Sequence, residues 1–296
     1  MELALHNWMR AEPVETTIRR MKKYGYDSLE IMCEPDQYNT KEVRKLLEDN
    51  GLSCWGALAF MSGERDLLAK DERVREATAN YTKQVITFCK ELGGKTVCTP
   101  PTRVGKVVPE ADPETEWKWS VDVYSELNAH AQKEGVCVGI EPLNRFETYF
   151  INRCEQALAL AKQCGPMCGV CLDAFHLNIE EADPYAAIRL AGSRLVDFHA
   201  ADNTRMACGM GRWDWPRLVG TLKEAGYDGA LAVEFIATVD RTPVNRYPDQ
   251  LETGGVDISE EQRKFIEEHG SSLLSEKFYS WLVEESAKTL LPLIRG

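Results

Sequence analysis

An amphipathic helix, a glycine and a short apolar strand recur along the 296-residue chain. The unit reads KKYGYDSLEI, LEDNGLSCWGAL, KELGGKTVC, QKEGVCVGIE, KQCGPMCGVCLD, RLAGSRLVDFH and KEAGYDGALAVEF. Glycine after the last helical turn supplies the left-handed residue that stops a helix. The runs that follow are rich in Val, Leu, Ile and Cys and continuous rather than alternating, the pattern of a parallel sheet covered on both faces. With LALH at the N-terminus, the pattern predicts eight strands, near 3–6, 28–32, 52–58, 95–98, 136–141, 168–173, 194–199 and 230–235, with helices between them. Eight strand–helix alternations predict an α/β fold of the closed (β/α)8 TIM-barrel type, a single domain over 1–296. The rival is an open doubly wound sheet, and no G-x-G-x-x-G follows the first strand to support it.

Two connections are longer than a simple turn. One lies near 99–116 and contains several prolines; the other lies near 236–258 and carries DRTPVNRYPDQ. Both follow strands, on the face where barrels build active sites, so both are expected to wall a pocket. In the second, that wall is expected from Arg241, Thr242, Pro243, Asn245, Arg246 and Tyr247.

The residues that end the late strands bring in chemistry. Strand 5 ends in Glu141, strand 6 in Asp173, strand 7 in His199 and strand 8 in Glu234. One polar residue capping an apolar strand is ordinary. Four in succession, all carboxylate or imidazole, point to convergence above the barrel mouth. Three carboxylates at one point repel one another, so a bound cation is their natural partner. Oxygen-rich ligation with one imidazole favours Mn2+, with Mg2+ or Co2+ as close rivals, whereas zinc takes more nitrogen or sulfur. Three carboxylates and a divalent ion leave a charge of about −1, which suits a neutral polyol better than a phosphorylated substrate.

The formal net charge of −12 argues against nucleic acid or anionic membrane as partner, and no apolar run reaches bilayer length. The N-terminal MELALHNWMRAEP has no basic stretch followed by an apolar one, so a cytoplasmic location is expected. The ten cysteines are then expected to be reduced, with Cys89, Cys98 and Cys137 in apolar surroundings. Cys164, Cys168 and Cys171 have a spacing also seen around iron–sulfur clusters. Here, however, Cys164 ends a helix and residues three apart on a strand face opposite ways, so the expectation is core packing.

The runs EPLNRFETYFINR, LDAFHLNIEE, HAADNTR, GMGRWDW and EAGYDGALAVEF resemble the D-tagatose 3-epimerase branch of the xylose isomerase-like superfamily. The resemblance is close over about 135–240 and general elsewhere. It implies a keto-sugar epimerase or isomerase in which Glu141, Asp173, His199 and Glu234 bind the metal and Glu141 and Glu234 also move protons. It further implies that Glu147, His176 and Arg205 bind substrate. His6, at the end of strand 1, is a further candidate pocket residue. Other members of the superfamily are dehydratases and lyases. Among these is the large subunit of bacterial C-glycoside deglycosidases, which cleaves 3-keto-glycosides together with a small β-sandwich partner, and this is the alternative reading. As a free-standing epimerase the chain is expected to be a homo-oligomer. An endonuclease of the same superfamily needs more than the five histidines present, and a non-catalytic sugar-binding barrel needs no pair of bases. Trp8, Trp55, Trp117 and Trp119 are candidates for packing on a sugar face, Trp213 and Trp215 for seating the helix after strand 7. Glu180 and Glu181 read as a solvated helix start, and His130 and His269 as surface residues.

Overall fold

A computed structural model of the chain describes residues 1–32, 34–251, 260, 263, 264, 266 and 273–296. The elements follow in the order β1 (Glu2–His6), α1 (Val14–Tyr24), β2 (Ser28–Met32), α2 (Thr40–Asp49), β3 (Ser53–Leu58), α3 (Glu72–Leu92), β4 (Thr96–Thr99), α4 (Pro113–Glu134), β5 (Cys137–Ile140), α5 (Cys154–Cys164), β6 (Cys168–Asp173), α6 (Ala174–Glu180), α7 (Pro184–Ala191), β7 (Leu195–Ala200), α8 (Trp215–Glu224), β8 (Ala230–Val233) and α9 (Glu276–Arg295). The eight strands are parallel and close into a barrel, β8 pairing back onto β1 through Leu5–Val233. The expected TIM barrel is therefore present.

Local sequence starts and stops the outer helices. The side chains of Asn39, Asp71, Asp112, Asp183, Asp214 and Ser275 accept backbone N–H bonds at the first turns of α2, α3, α4, α7, α8 and α9. Each such cap contributes about 1 kcal/mol. Gly135 ends α4 at φ +70°, a conformation that a Cβ would strain. After β8, α9 fills the last position of the helical ring. Tyr26 donates its hydroxyl to Val283 O at 2.9 Å, Arg20 Nε donates to Ser280 Oγ at 2.8 Å and Lys223 Nζ donates to Leu293 O at 2.9 Å.

The strands turn most of their large apolar side chains toward the helices. Leu3, Leu5, Leu29, Ile31, Val97, Val138, Ile140, Val170, Leu172, Phe198, Leu231 and Val233 join the main core between sheet and helices. Each contributes about 1.5–3 kcal/mol through burial. Alternation sends the intervening residues into the barrel. These are small or polar: Ala4, His6, Ser28, Glu30, Thr96, Cys98, Gly139, Cys171, Asp197, Ala230 and Ala232. Trp55 packs there with Ala4, Ala230 and Ala232, and its Nε1 donates to Asp197 Oδ1 at 2.9 Å. A barrel filled this way carries charge up its axis to the mouth, and that is what places the site.

No helix among the described residues is long and apolar enough to cross a membrane. His130 is half-buried, its ring 2.9 Å from Thr87 Oγ1, rather than free on the surface. His269 and residues 252–258 of the second long loop lie outside the described residues.

Candidate active site and metal centre

Strand register sets the height of the cluster. Asp173 on β6 pairs with His199 on β7, and His199 pairs with Ala232, two residues before Glu234. Glu141 follows β5 directly, its N–H bonded to Thr99 O. One ligand atom from each of Glu141, Asp173, His199 and Glu234 lies within 4.8 Å of the other three, and all four residues are buried. Glu141 Oε1 is 3.1 Å and Glu234 Oε2 3.3 Å from the same atom, His199 Nδ1. Asp173 spends Oδ1 on capping α6, accepting from Phe175 N and His176 N. Its Oδ2 is buried without a hydrogen-bond partner. Trp8 Nε1 donates to Glu234 Oε1 at 3.1 Å, leaving Oε2 toward the cluster.

The electrostatics call for a positive charge at this point. Burial pushes the Asp173 carboxyl well above its ordinary range, and Glu234 and Glu141 push the same way. Burial alone would lower the His199 imidazole, but Cys171, Glu234, Cys98 and Glu141 around it raise it well above its usual value. Burial would raise Glu234 as well, yet His199, His6 and Arg205 hold it well below the carboxylate range. An unpartnered buried carboxylate oxygen beside two convergent carboxylates and an imidazole fits a hard divalent ion.

Above the cluster is a cavity of about 270 Å³, at the small end of ligand sites. Glu141, Glu234, Glu147, His176 and Arg205 supply its polar lining, with Trp8, Leu58, Phe60, Pro100, Val104, Leu143 and Ile236 as its apolar walls. His176 Nδ1 accepts from Asn144 N at 3.2 Å, so the ring proton is on Nε2. Burial, and then Arg205, keep this imidazole well below its ordinary value and therefore neutral. Glu147 Oε1 accepts from Asn144 Nδ2 at 2.8 Å and from Arg205 Nη1 at 3.2 Å. Arg205 Nη2 is 3.9 Å from Glu234 Oε2, and its guanidinium lies over Phe175, 4.9 Å from the ring centroid. Arg205 is held at φ +58°. Its N–H donates to Asp202 O and its carbonyl accepts from Ile236 N, both at 2.8 Å. Asp202 braces this loop: its carboxylate accepts from Asn203 N, Gly209 N, Trp213 N and Trp215 Nε1.

His6 lies beneath the cluster rather than along the cavity. Its ring meets His199 edge-on at 4.7 Å between centroids, and its Nε2 is 3.6 Å from Glu30 Oε2. Glu30 escaped the sequence reading. Its signal was a single acid inside the apolar run SLEIM, since acids are almost never fully buried unless paired. Trp8 touches both the cavity and the cluster. Trp55 lies in the barrel interior, Trp117 Nε1 reaches Gln163 and Trp119 stacks under Arg75, so these three face elsewhere. Trp215 seats α8 through Asp202, as expected.

Two local expectations change and a third gains a detail. Glu180 ends α6 rather than starting a solvated helix; its carboxylate pairs with Arg145, and Glu181 accepts from Cys154 N at 2.8 Å. Cys98 is buried in the main core as expected, but it also has a polar neighbour: its Sγ is 3.4 Å from Glu141 Oε2. Within 236–251, Ile236 lines the cavity, whereas Tyr247 packs on Phe278 and Trp281 of α9, with Arg246 beside them. Cys164 and Cys168 bond to carbonyls of α4 while Cys171 faces the barrel, so these three do not form a cluster.

A family model described as a xylose isomerase-like TIM barrel matches residues 18–268. The chain belongs to this family. It is 31% identical over 227 residues to the D-psicose 3-epimerase of Ruminiclostridium cellulolyticum, covering 73% of this chain and 76% of the relative. It is 27% identical over 256 residues to the 3-dehydro-D-guloside 4-epimerase of Escherichia coli, covering 81% and 93%. A crystal structure of the D-psicose 3-epimerase of Clostridium cellulolyticum with D-tagatose aligns over 100% of this chain and 98% of that one, with a TM-score of 0.78 and 24% identity. The fold is shared along the whole chain. Within the family, the matched relatives include D-psicose, L-ribulose and ketose 3-epimerases, the branch that the motifs indicated.

Proposed function

We propose that this protein is a divalent-metal-dependent epimerase of keto sugars. Glu141, Asp173, His199 and Glu234 are its ligands, and Glu141 and Glu234 are its two proton-transfer groups. One observation carries the reading: two glutamates from β5 and β8 approach the same imidazole nitrogen from different strands, at the floor of a sugar-sized cavity. Curated relatives that act on ketoses, such as D-psicose and L-ribulose 3-epimerases, support the substrate class. Mn2+ suits three carboxylates and one imidazole, and Mg2+ or Co2+ satisfies the same donors.

A bound ion would polarise the substrate carbonyl and stabilise the negative oxygens that develop when the neighbouring proton leaves. Everything else falls to the chain. Glu234, held ionised by His199, His6 and Arg205 and oriented by Trp8, takes the proton on carbon next to the carbonyl. Glu141 returns one on the opposite face, which inverts that carbon. His176 offers its Nε2 proton and Arg205 its guanidinium to sugar oxygens. Glu147, fixed by Asn144 and Arg205, accepts from a hydroxyl. Phe60, Val104, Leu143 and Ile236 exclude water from the reacting carbon.

We also propose that the active form is a homo-oligomer. Val107, Val108 and Phe146 are exposed on the β4 and β5 loops, which the Lys106–Thr148 bridge joins at the rim. Glycoside cleavage with a small β-sandwich partner starts with the same proton removal. It needs room for an aglycone, and the cavity volume favours a free monosaccharide. The test is to express the chain alone, load it with Mn2+ and offer free ketoses and 3-keto-glycosides, reading products by chromatography. Epimerised ketose supports the proposal. Inert ketoses, with a 3-keto-glycoside cleaved only after a small partner protein is added, would replace it.

A further inference from the structure

Two thiols meet inside the barrel directly below Glu141 and His199. Cys98 on β4 and Cys171 on β6 flank β5, whose residue level with Cys98 is Gly139. A Cβ on Gly139 would lie 3.1 Å from Cys171 Cβ and 3.3 Å from Val196 Cγ2, so a glycine here suits the close approach of β6 and β7. Cys98 Sγ reaches Glu141 Oε2 at 3.4 Å. One ligand atom from each of Cys98, Glu141, Cys171 and His199 lies within 4.8 Å of the other three, and all four residues are buried.

These donors differ in kind from the upper set. Two sulfurs, one imidazole and one carboxylate make the four-coordinate, soft-donor combination that zinc and cadmium prefer, whereas three carboxylates and an imidazole suit a hard ion. We propose that Cys98, Cys171, Glu141 and His199 form a second, thiophilic metal site that competes with hard-ion binding at Glu141, Asp173, His199 and Glu234. The competition follows from sharing: an ion drawn down to the sulfurs takes Glu141 and His199 away from the upper position. Binding there converts both thiols to thiolates and releases their two protons to solvent. Zinc or cadmium then occupies the centre without giving the hard-ion geometry.

The thiol part stands on its own geometry; the competition part rests on the upper metal site proposed above. The test strips the full-length chain of metal and titrates it with Cd2+ alone, following thiolate-to-metal charge-transfer absorbance. The wild type should develop a band that saturates near one ion per chain. The same band should appear in Asp173→Asn, which spares the thiols. It should be lost in Cys98→Ser/Cys171→Ser, whose fold is checked by circular dichroism. Competition against a chelator should show Zn2+ affinity falling at least about tenfold in the double variant, with Mn2+ affinity within about twofold of wild type. No band in the wild type, or an unchanged band and Zn2+ affinity in the double variant, would overturn the thiophilic site. If the cadmium band forms but Mn2+ binding is unaffected by bound Cd2+, the competition is wrong and the soft site alone remains.

Discussion

Glu30 Oε1 lies 3.3 Å from His199 Nε2, on the far side of the imidazole from Glu141 and Glu234. The ring therefore presents Nδ1 to the metal cluster and its other nitrogen to a buried carboxylate. Burial would raise Glu30, but His6 and His199 hold it below its ordinary value, so it is an anion placed to accept the Nε2 proton. Such a partner fixes the tautomer and angle of a ligating histidine, and its loss costs about 10–100-fold in metal affinity. Glu30→Gln should weaken Mn2+ binding by that order in a chelator competition, with the circular dichroism spectrum unchanged. Glu30→Asp, which keeps the charge but shortens the reach, should recover part of it. Wild-type affinity in Glu30→Gln would show that His199 is oriented by its packing alone.

Metal removal should be felt in stability as well as in turnover. Glu141, Asp173 and Glu234 crowd three carboxylates into one buried cluster, and a cation that binds only the folded chain stabilises it by about 2.7 kcal/mol at 100 times its Kd. Dialysis against a chelator should abolish epimerisation and lower the melting temperature by several degrees. Adding back Mn2+ should restore both, with about one ion per chain by elemental analysis. A melting temperature and activity indifferent to the chelator would remove the metal from the mechanism.

Glu141→Gln and Glu234→Gln test the two bases. Each should lose about 10²–10⁴ in rate, the usual contribution of a positioned acid or base. Wild-type enzyme working in heavy water should place deuterium on the carbon beside the carbonyl. Product free of solvent deuterium would point to a hydride shift and away from this pair of bases.

The barrel and the four cluster residues were legible because each rests on local pattern. Helix–glycine–strand units repeat, and Glu141, Asp173, His199 and Glu234 stand at corresponding ends of successive strands. What was hidden depends on register and on which strand face turns inward. Cys98 and Cys171 sit in the runs VC and CGVCL, which read as uniformly apolar because cysteine and glycine count with valine. In the barrel their alternation separates a core-facing Val97 or Leu172 from an axis-facing thiol. Glu30 acquires its role only when β1 and β2 pair His6 with Glu30 and both turn toward His199. The bracing of Arg205 by Asp202 was equally out of reach, since it joins a side chain to backbone amides up to 11 residues away.

Arg205 combines a buried charge with a backbone cost, and the two can be separated. At φ +58° its conformation is left-handed, which costs a non-glycine residue about 1 kcal/mol or more. The backbone is nonetheless pinned there by the bonds to Asp202 O and from Ile236 N. Its guanidinium pairs with Glu147 and lies near Glu234. Arg205→Ala and Arg205→Gly remove the same charge and leave the same carboxylates without their cation. They differ in whether a Cβ must tolerate the left-handed backbone. Both variants should lose sugar binding or turnover while metal content stays near that of the wild type. In denaturant melts Arg205→Gly should be the more stable of the two by about 1 kcal/mol, because glycine adopts positive φ without steric cost. Arg205→Lys should not restore activity, since an ammonium cannot bridge Glu147 and a sugar oxygen as the planar fork does. If glycine proves no more stable than alanine, the backbone at this position is relaxed and the loop is not held under strain. If metal is lost in either variant, Arg205 supports the metal centre rather than the sugar.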